Sequence, residues 1–266
     1  MKKLFTIGLT TTLMLTTNTL AFDFSTPPSK LSAHYLASAQ AVDTVKSKLT
    51  EHGFTLLATT NIIEGHDVIT ITNDELKATN SYMATLQVSV SGSEVRVQNP
   101  SYLGAAYLGQ KYSYGKFKTT VNALEKALGG LTGSEQKADF SELEDFNFMM
   151  GMPKLSDPIT VKEGAGLASK VTSGNKHIAY TLVLPNGLTL VGHKLREKTN
   201  SFLKTLGQEK NAQILPYESM VYGNTVQMLN PKYYLALSLP LLSMGEFMEI
   251  ASVPDQIEKD IKRAYK

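Results

Sequence analysis

The chain has 266 residues and contains neither cysteine nor tryptophan. Without cysteine there are no disulfides, thiolate zinc sites, iron–sulfur clusters or cysteine nucleophiles, and no lipid can be attached to an N-terminal cysteine. Charge is sparse as well. Asp, Glu, Lys and Arg make up 19% of the chain, and the formal net charge is +2, which argues against a broad electrostatic grip on nucleic acid. Beyond the first residues no apolar run is long enough to span a bilayer. Tyr233 to Leu242 is the most apolar stretch, but it is about half the required length and contains Pro240. What is present is an ordinary globular balance, 42% hydrophobic, with enough chain for one or two domains, each burying its own core.

Residues 1–21 read as a Sec-type signal peptide: Lys2 and Lys3, then the uncharged stretch Leu4 to Leu20, then small residues at Thr19 and Ala21. Removing this segment takes away two lysines and no acid, so the remaining side chains balance near zero charge. The expected location is therefore periplasmic or secreted, in a bacterium.

An internal repeat follows. Residues 95–117 match residues 226–247 at Val95 and Val226, Asn99-Pro100 and Asn230-Pro231, and Tyr102 and Tyr233. Further matches are Ser113 and Ser243, Gly115 and Gly245, and Phe117 and Phe247, with a single-residue gap between the copies. The division expected is 22–130 for the first copy, 131–158 for a linker segment and 159–266 for the second copy.

In the first copy, strands are expected over 32–39, 54–61, 68–72, 82–91 and 94–98. Helices are expected over 41–52, with Val42, Val45 and Leu49 at helical spacing, and over 117–128. In the second copy, 160–172 reads as a poor helix interrupted by Gly164 and Gly166. Residues 177–193 form a hairpin about Asn186-Gly187, 197–206 a short helix, 214–229 a second hairpin about Gly223-Asn224, and 255–265 a closing helix. The linker is acidic, then apolar over 146–152, which favours packing over free solution. The fold class is α+β: two tandem copies of an antiparallel sheet with helices packed on one face, in the order strand, helix, four strands, helix.

The segment from Leu215-Pro216 through Val221-Tyr222 and a Gly-Asn turn to Asn230-Pro231 resembles the domain of unknown function 302 family. The resemblance implies this antiparallel α+β plan and a tendency to dimerise, so that two copies in one chain would form a pseudo-dimer. It carries over no catalytic residue.

Each candidate functional residue also has an ordinary structural role. Asn-Pro at a strand end is also a good turn. The tyrosines after each pair offer an apolar body with a polar tip, suited to a pocket, an interface or simple packing. The ligand-binding candidates are Asn99, Tyr102, Tyr107, Tyr217, Asn230 and Tyr233. Met149, Met152, His177 and His193 are the candidates for a soft metal such as copper, although closed sites need three or four ligands and metal-binding methionines need a regular motif. There is no G-x-S-x-G elbow, and Ser201-Phe202-Leu203-Lys204 stands without the partner motifs of serine acyl enzymes.

The function these readings favour is a non-enzymatic exported binding or accessory protein needing no cofactor. It would hold a small apolar ligand or an envelope protein in the cleft between the copies. No nucleic acid partner is expected, and no transmembrane segment after signal cleavage. A copper-handling protein is the alternative, and a hydrolase the third reading.

Overall fold

A computed structural model of the chain describes residues 22–171 and 174–266, so the expected signal segment lies outside the described residues. The first half begins with β1 (Lys30–Ser32), β2 (His34–Ser38), α1 (Val42–Glu51), β3 (Thr55–Ile63), β4 (His66–Thr72) and the single turn α2 (Asp74–Lys77). It continues with β5 (Leu86–Val90), β6 (Glu94–Gln98), α3 (Pro100–Leu108) and α4 (Lys118–Leu128). Strands β7 (Thr132–Gly133) and β8 (Lys137–Asp139) follow. The second half has β9 (Ile159–Glu163), α5 (Leu167–Lys170), β10 (Ile178–Val183), β11 (Thr189–His193), and the short helices α6 (Glu197–Asn200) and α7 (Phe202–Thr205). It ends with β12 (Tyr217–Tyr222), β13 (Thr225–Met228), α8 (Pro231–Ser238), α9 (Met244–Glu249) and α10 (Val253–Lys262).

The larger sheet runs β3-β4-β5-β6-β2-β7 and the second runs β10-β11-β12-β13-β9, while β1 and β8 form a two-stranded ribbon. Every pairing is antiparallel. Leaving β7 aside, the two main sheets share one order: a four-strand meander whose last strand pairs with the earliest strand of that sheet, β2 or β9.

Period-two alternation sorts the first sheet into two faces. Ile69, Ile71, Leu86, Val88, Val95 and Val97 are buried on the face that carries α1 and α4, packed with Val45, Leu49, Val121, Leu124 and Leu128. The opposite face presents Thr70, Thr72, Gln87, Ser89, Arg96 and Gln98, all buried as well. A sheet with one polar face normally turns that face to water. Here it is covered by the second half, through Arg96 Nη1 to Asn211 Oδ1 (2.9 Å), Gln98 Nε2 to Tyr234 OH (3.5 Å) and Thr85 Oγ1 to Glu218. The cores interlock too. Tyr233 and Leu237 of α8 belong to the first core, and Ile62, Ile63 and Val68 of the first half belong to the second.

Several expectations are corrected. Residues 160–172 do not form one poor helix. Thr160 and Val161 lie in β9, and the glycines that weakened the helix pattern separate that strand from the short α5. Residues 100–108 and 231–238 are helices that the strand–helix–four strands–helix plan omitted. Asn99 and Asn230 cap them, accepting from Ser101 N (2.9 Å) and Lys232 N (3.1 Å), with proline in the first turn. The 131–158 segment packs on the fold, as expected of its apolar stretch: β7 pairs with β2, β8 pairs with β1, Leu143 is buried, and Phe146 and Phe148 lie against Tyr233 and Phe247. Among the described residues no helix is long and apolar enough to cross a membrane.

Candidate ligand groove at the junction of the halves

The hairpin β3–β4 reaches over the second half and closes one wall of a groove of about 710 Å³. Thr60, Asn61, Ile62 and Glu64 come from this hairpin. His193, Asn200, Leu215 and Pro216 form the facing wall. The two walls are tied together where Asn200 Nδ2 donates to the Ile62 carbonyl (2.9 Å).

Across the two walls, three lining residues carry a buried polar atom with no hydrogen-bond partner: Thr60 Oγ1, His193 Nδ1 and Asn200 Oδ1. A buried polar atom without a partner costs about 1–3 kcal/mol, so three at one groove is a concentration that calls for something to satisfy them. The other edge of the His193 ring is held firmly. Nε2 lies 2.7 Å from Ser219 Oγ, which lies 2.9 Å from the Tyr265 hydroxyl, all within the second core. Burial, with a smaller contribution from nearby His177, depresses the His193 pKa to about 3. The ring is therefore neutral, and its second nitrogen, Nδ1, is buried without a partner in a residue that lines the groove.

A second polar centre lies deeper between the halves. The Glu218 carboxylate accepts from the Thr85 and Tyr180 hydroxyls, and Gln87 Nε2 approaches the Tyr180 oxygen at 3.4 Å. No cation pairs with Glu218 among the described residues, and burial raises its pKa to about 7 against the opposing pull of the two hydroxyls. Beside it Tyr82, Tyr107, Tyr217, Leu229 and Tyr234 enclose about 10 Å³, room for roughly one water.

The sequence candidates fall in three places. Tyr107 and Tyr217 line this small cavity, which leaves no space there for a small apolar ligand. Tyr102 and Tyr233 are buried packing residues, Tyr102 donating to the Leu237 carbonyl (2.7 Å) and Tyr233 lying on Phe146. Asn99 and Asn230 are spent as helix caps, and Asn99 also donates to the Ser32 carbonyl (2.8 Å). Met149 is exposed on a turn, Met152 packs on the second core, and His177 is half-buried at the start of β10. Only His193 of the named candidates lines the groove. Among the described residues no group of three His, Asp or Glu side chains is placed to hold a metal ion.

Sequence reasoning missed Glu218, Tyr180, Thr60 and Asn200. One signal was available. Glu218 stands twelve residues before Asn230, and Gln87 twelve before Asn99, so the two occupy matching positions on matching strands. No family model, no curated protein and no solved structure matches this chain.

Proposed function

We propose that the protein is an exported, non-catalytic binding protein whose two halves are diverged copies of one α+β unit and whose ligand occupies the groove between them. The common strand order and the exchange of core residues support the duplication. A pseudo-dimer of the kind implied by the family resemblance would place a groove at this junction. The observation that carries the binding reading is that Thr60, His193 and Asn200, drawn from both walls of one groove, each carry a buried polar atom without a partner. Their chemistry favours a small polar molecule carrying a hydrogen-bond donor for Asn200 Oδ1, with Leu215 and Pro216 as its apolar floor. That differs from the small apolar ligand expected from the tyrosines.

The test is native mass spectrometry of protein isolated without denaturation from its own compartment. The parent chain should carry an added small mass. The variant Asn61→Trp, which fills the groove from its rim, should lose that mass while melting at the parent temperature. A parent chain of bare mass, or an added mass that Asn61→Trp retains, contradicts the reading.

A further inference from the structure

A separate cleft of about 410 Å³ lies at the C-terminal end of α3, on the first half alone. Its walls are the rings of Tyr112, Tyr114 and Phe140, its floor is Ala105, and Glu144 stands at its rim beside Gly109. The Tyr112 and Phe140 centroids are 6.4 Å apart with the rings inclined at 57°. Those of Tyr114 and Phe140 are 5.9 Å apart at 77°. Rings set at such angles form the sides of a box instead of a stack.

The box is held in place from outside. Tyr112 stacks on Phe117 (6.3 Å, 23°), and the pair sits close over Gly104, where any added Cβ would lie 2.5 Å from Phe117 and 2.9 Å from Tyr112. Tyr114 donates to the Asp23 carbonyl (3.2 Å) and leans on Phe24. The walls therefore stand ready without side-chain ordering, which is one of the costs of binding a small ligand.

Three features of the cleft favour positive charge. Aromatic faces carry negative potential. The C-terminal end of α3 presents the negative end of the helix dipole. The Glu144 carboxylate comes within 3.9 Å of where a Gly109 Cβ would be, and no ion pair or hydrogen bond occupies it among the described residues. Gly109 itself has φ +51° and no side chain to fill the space. A cation that is bulky, weakly hydrated and without N–H donors suits these walls, because the rings offer it faces but few acceptors.

The geometry points to a quaternary ammonium site: the methyl groups of the ligand rest on Tyr112, Tyr114 and Phe140, and its charge is balanced by Glu144. This site is independent of the junction groove and stands or falls by itself.

The experiment is titration of the purified protein with choline, followed by calorimetry and by the tyrosine fluorescence that no tryptophan obscures. The neutral tert-butyl analogue of choline, of matching shape, is the control. Choline should bind with the analogue roughly tenfold weaker or absent. Glu144→Gln, at an exposed position, should weaken choline severalfold without changing the melting temperature. Phe140→Leu should weaken it further, its fold checked by circular dichroism. No choline binding, equal binding of the analogue, or an affinity unchanged in Glu144→Gln and Phe140→Leu overturns the assignment.

Discussion

The Tyr180 hydroxyl reaches the Glu218 carboxylate by lying across Gly192. Tyr180, Gly192 and Glu218 sit side by side on β10, β11 and β12, and a Cβ on Gly192 would lie 2.1 Å from the Tyr180 ring. The bare backbone of the middle strand is what lets an aromatic side chain bridge two strands and deliver its hydroxyl to a buried acid. Gly192→Ala should therefore destabilise the protein by about 2–3 kcal/mol through overpacking. Tyr180→Phe in the same background should cost little more, since the displaced ring no longer bonds Glu218. Urea unfolding of the two single variants and the double variant checks this non-additivity.

Glu218 makes stability depend on pH in an unusual direction. Its folded pKa, about 7, is above the ordinary 4.5, so folding favours the protonated form. The stability it supports is complete below about pH 4.5 and is lost as pH rises through about 7. Glu218→Gln, which places in the second half the residue that Gln87 supplies in the first, should remove this loss. At about pH 8 the variant should exceed the parent by about 3 kcal/mol, and at about pH 4 the two should be alike. Unfolding curves at the two pH values decide it.

His34 and His193 act in the opposite sense. Burial depresses both to about 3, aided by Arg96 at His34 and by His177 at His193. The stability tied to their neutral forms is present above about pH 6.5 and is lost as pH falls toward 3. His193→Gln does not titrate and keeps a group that can meet Ser219. Its acid unfolding should be shallower than that of the parent, by about 2–3 kcal/mol at about pH 4. A parallel acid limb would contradict the buried neutral imidazole.

The Asn-Pro pairs are local and unequal. Asn230→Ala should cost about 1 kcal/mol, the ordinary loss of a helix cap. Asn99→Ala should cost more, about 2 kcal/mol, because the buried Asn99 side chain also donates to the Ser32 carbonyl and its loss leaves that acceptor buried. Thermal unfolding of the pair of variants compares the two positions directly.

The parts of the fold that were legible are those with a local signature. The Asn186-Gly187 turn and its flanking strands, the β12–β13 hairpin and the amphipathic stripe of α4 all follow from turn chemistry and periodicity. Helix α3 was hidden because its residues, from Pro100 to Ala106, are buried all round, which erases the polar face that reveals a helix. The groove was hidden for a different reason. Thr60 is far in sequence from His193 and Asn200 and joins them only when the β3–β4 hairpin packs on the other half. Gly192 in β11 was a visible clue to the Tyr180–Glu218 contact alone, since an isolated strand glycine marks a close approach.

The central claim is that the junction groove holds a small polar ligand. A crystal structure of protein taken undenatured from its own compartment tests it most directly. The account predicts density for an organic molecule in the groove, with a donor within hydrogen-bonding distance of Asn200 Oδ1 and a polar atom facing His193 Nδ1. A groove containing only solvent, or one closed by side chains that satisfy Thr60, His193 and Asn200 themselves, would contradict it.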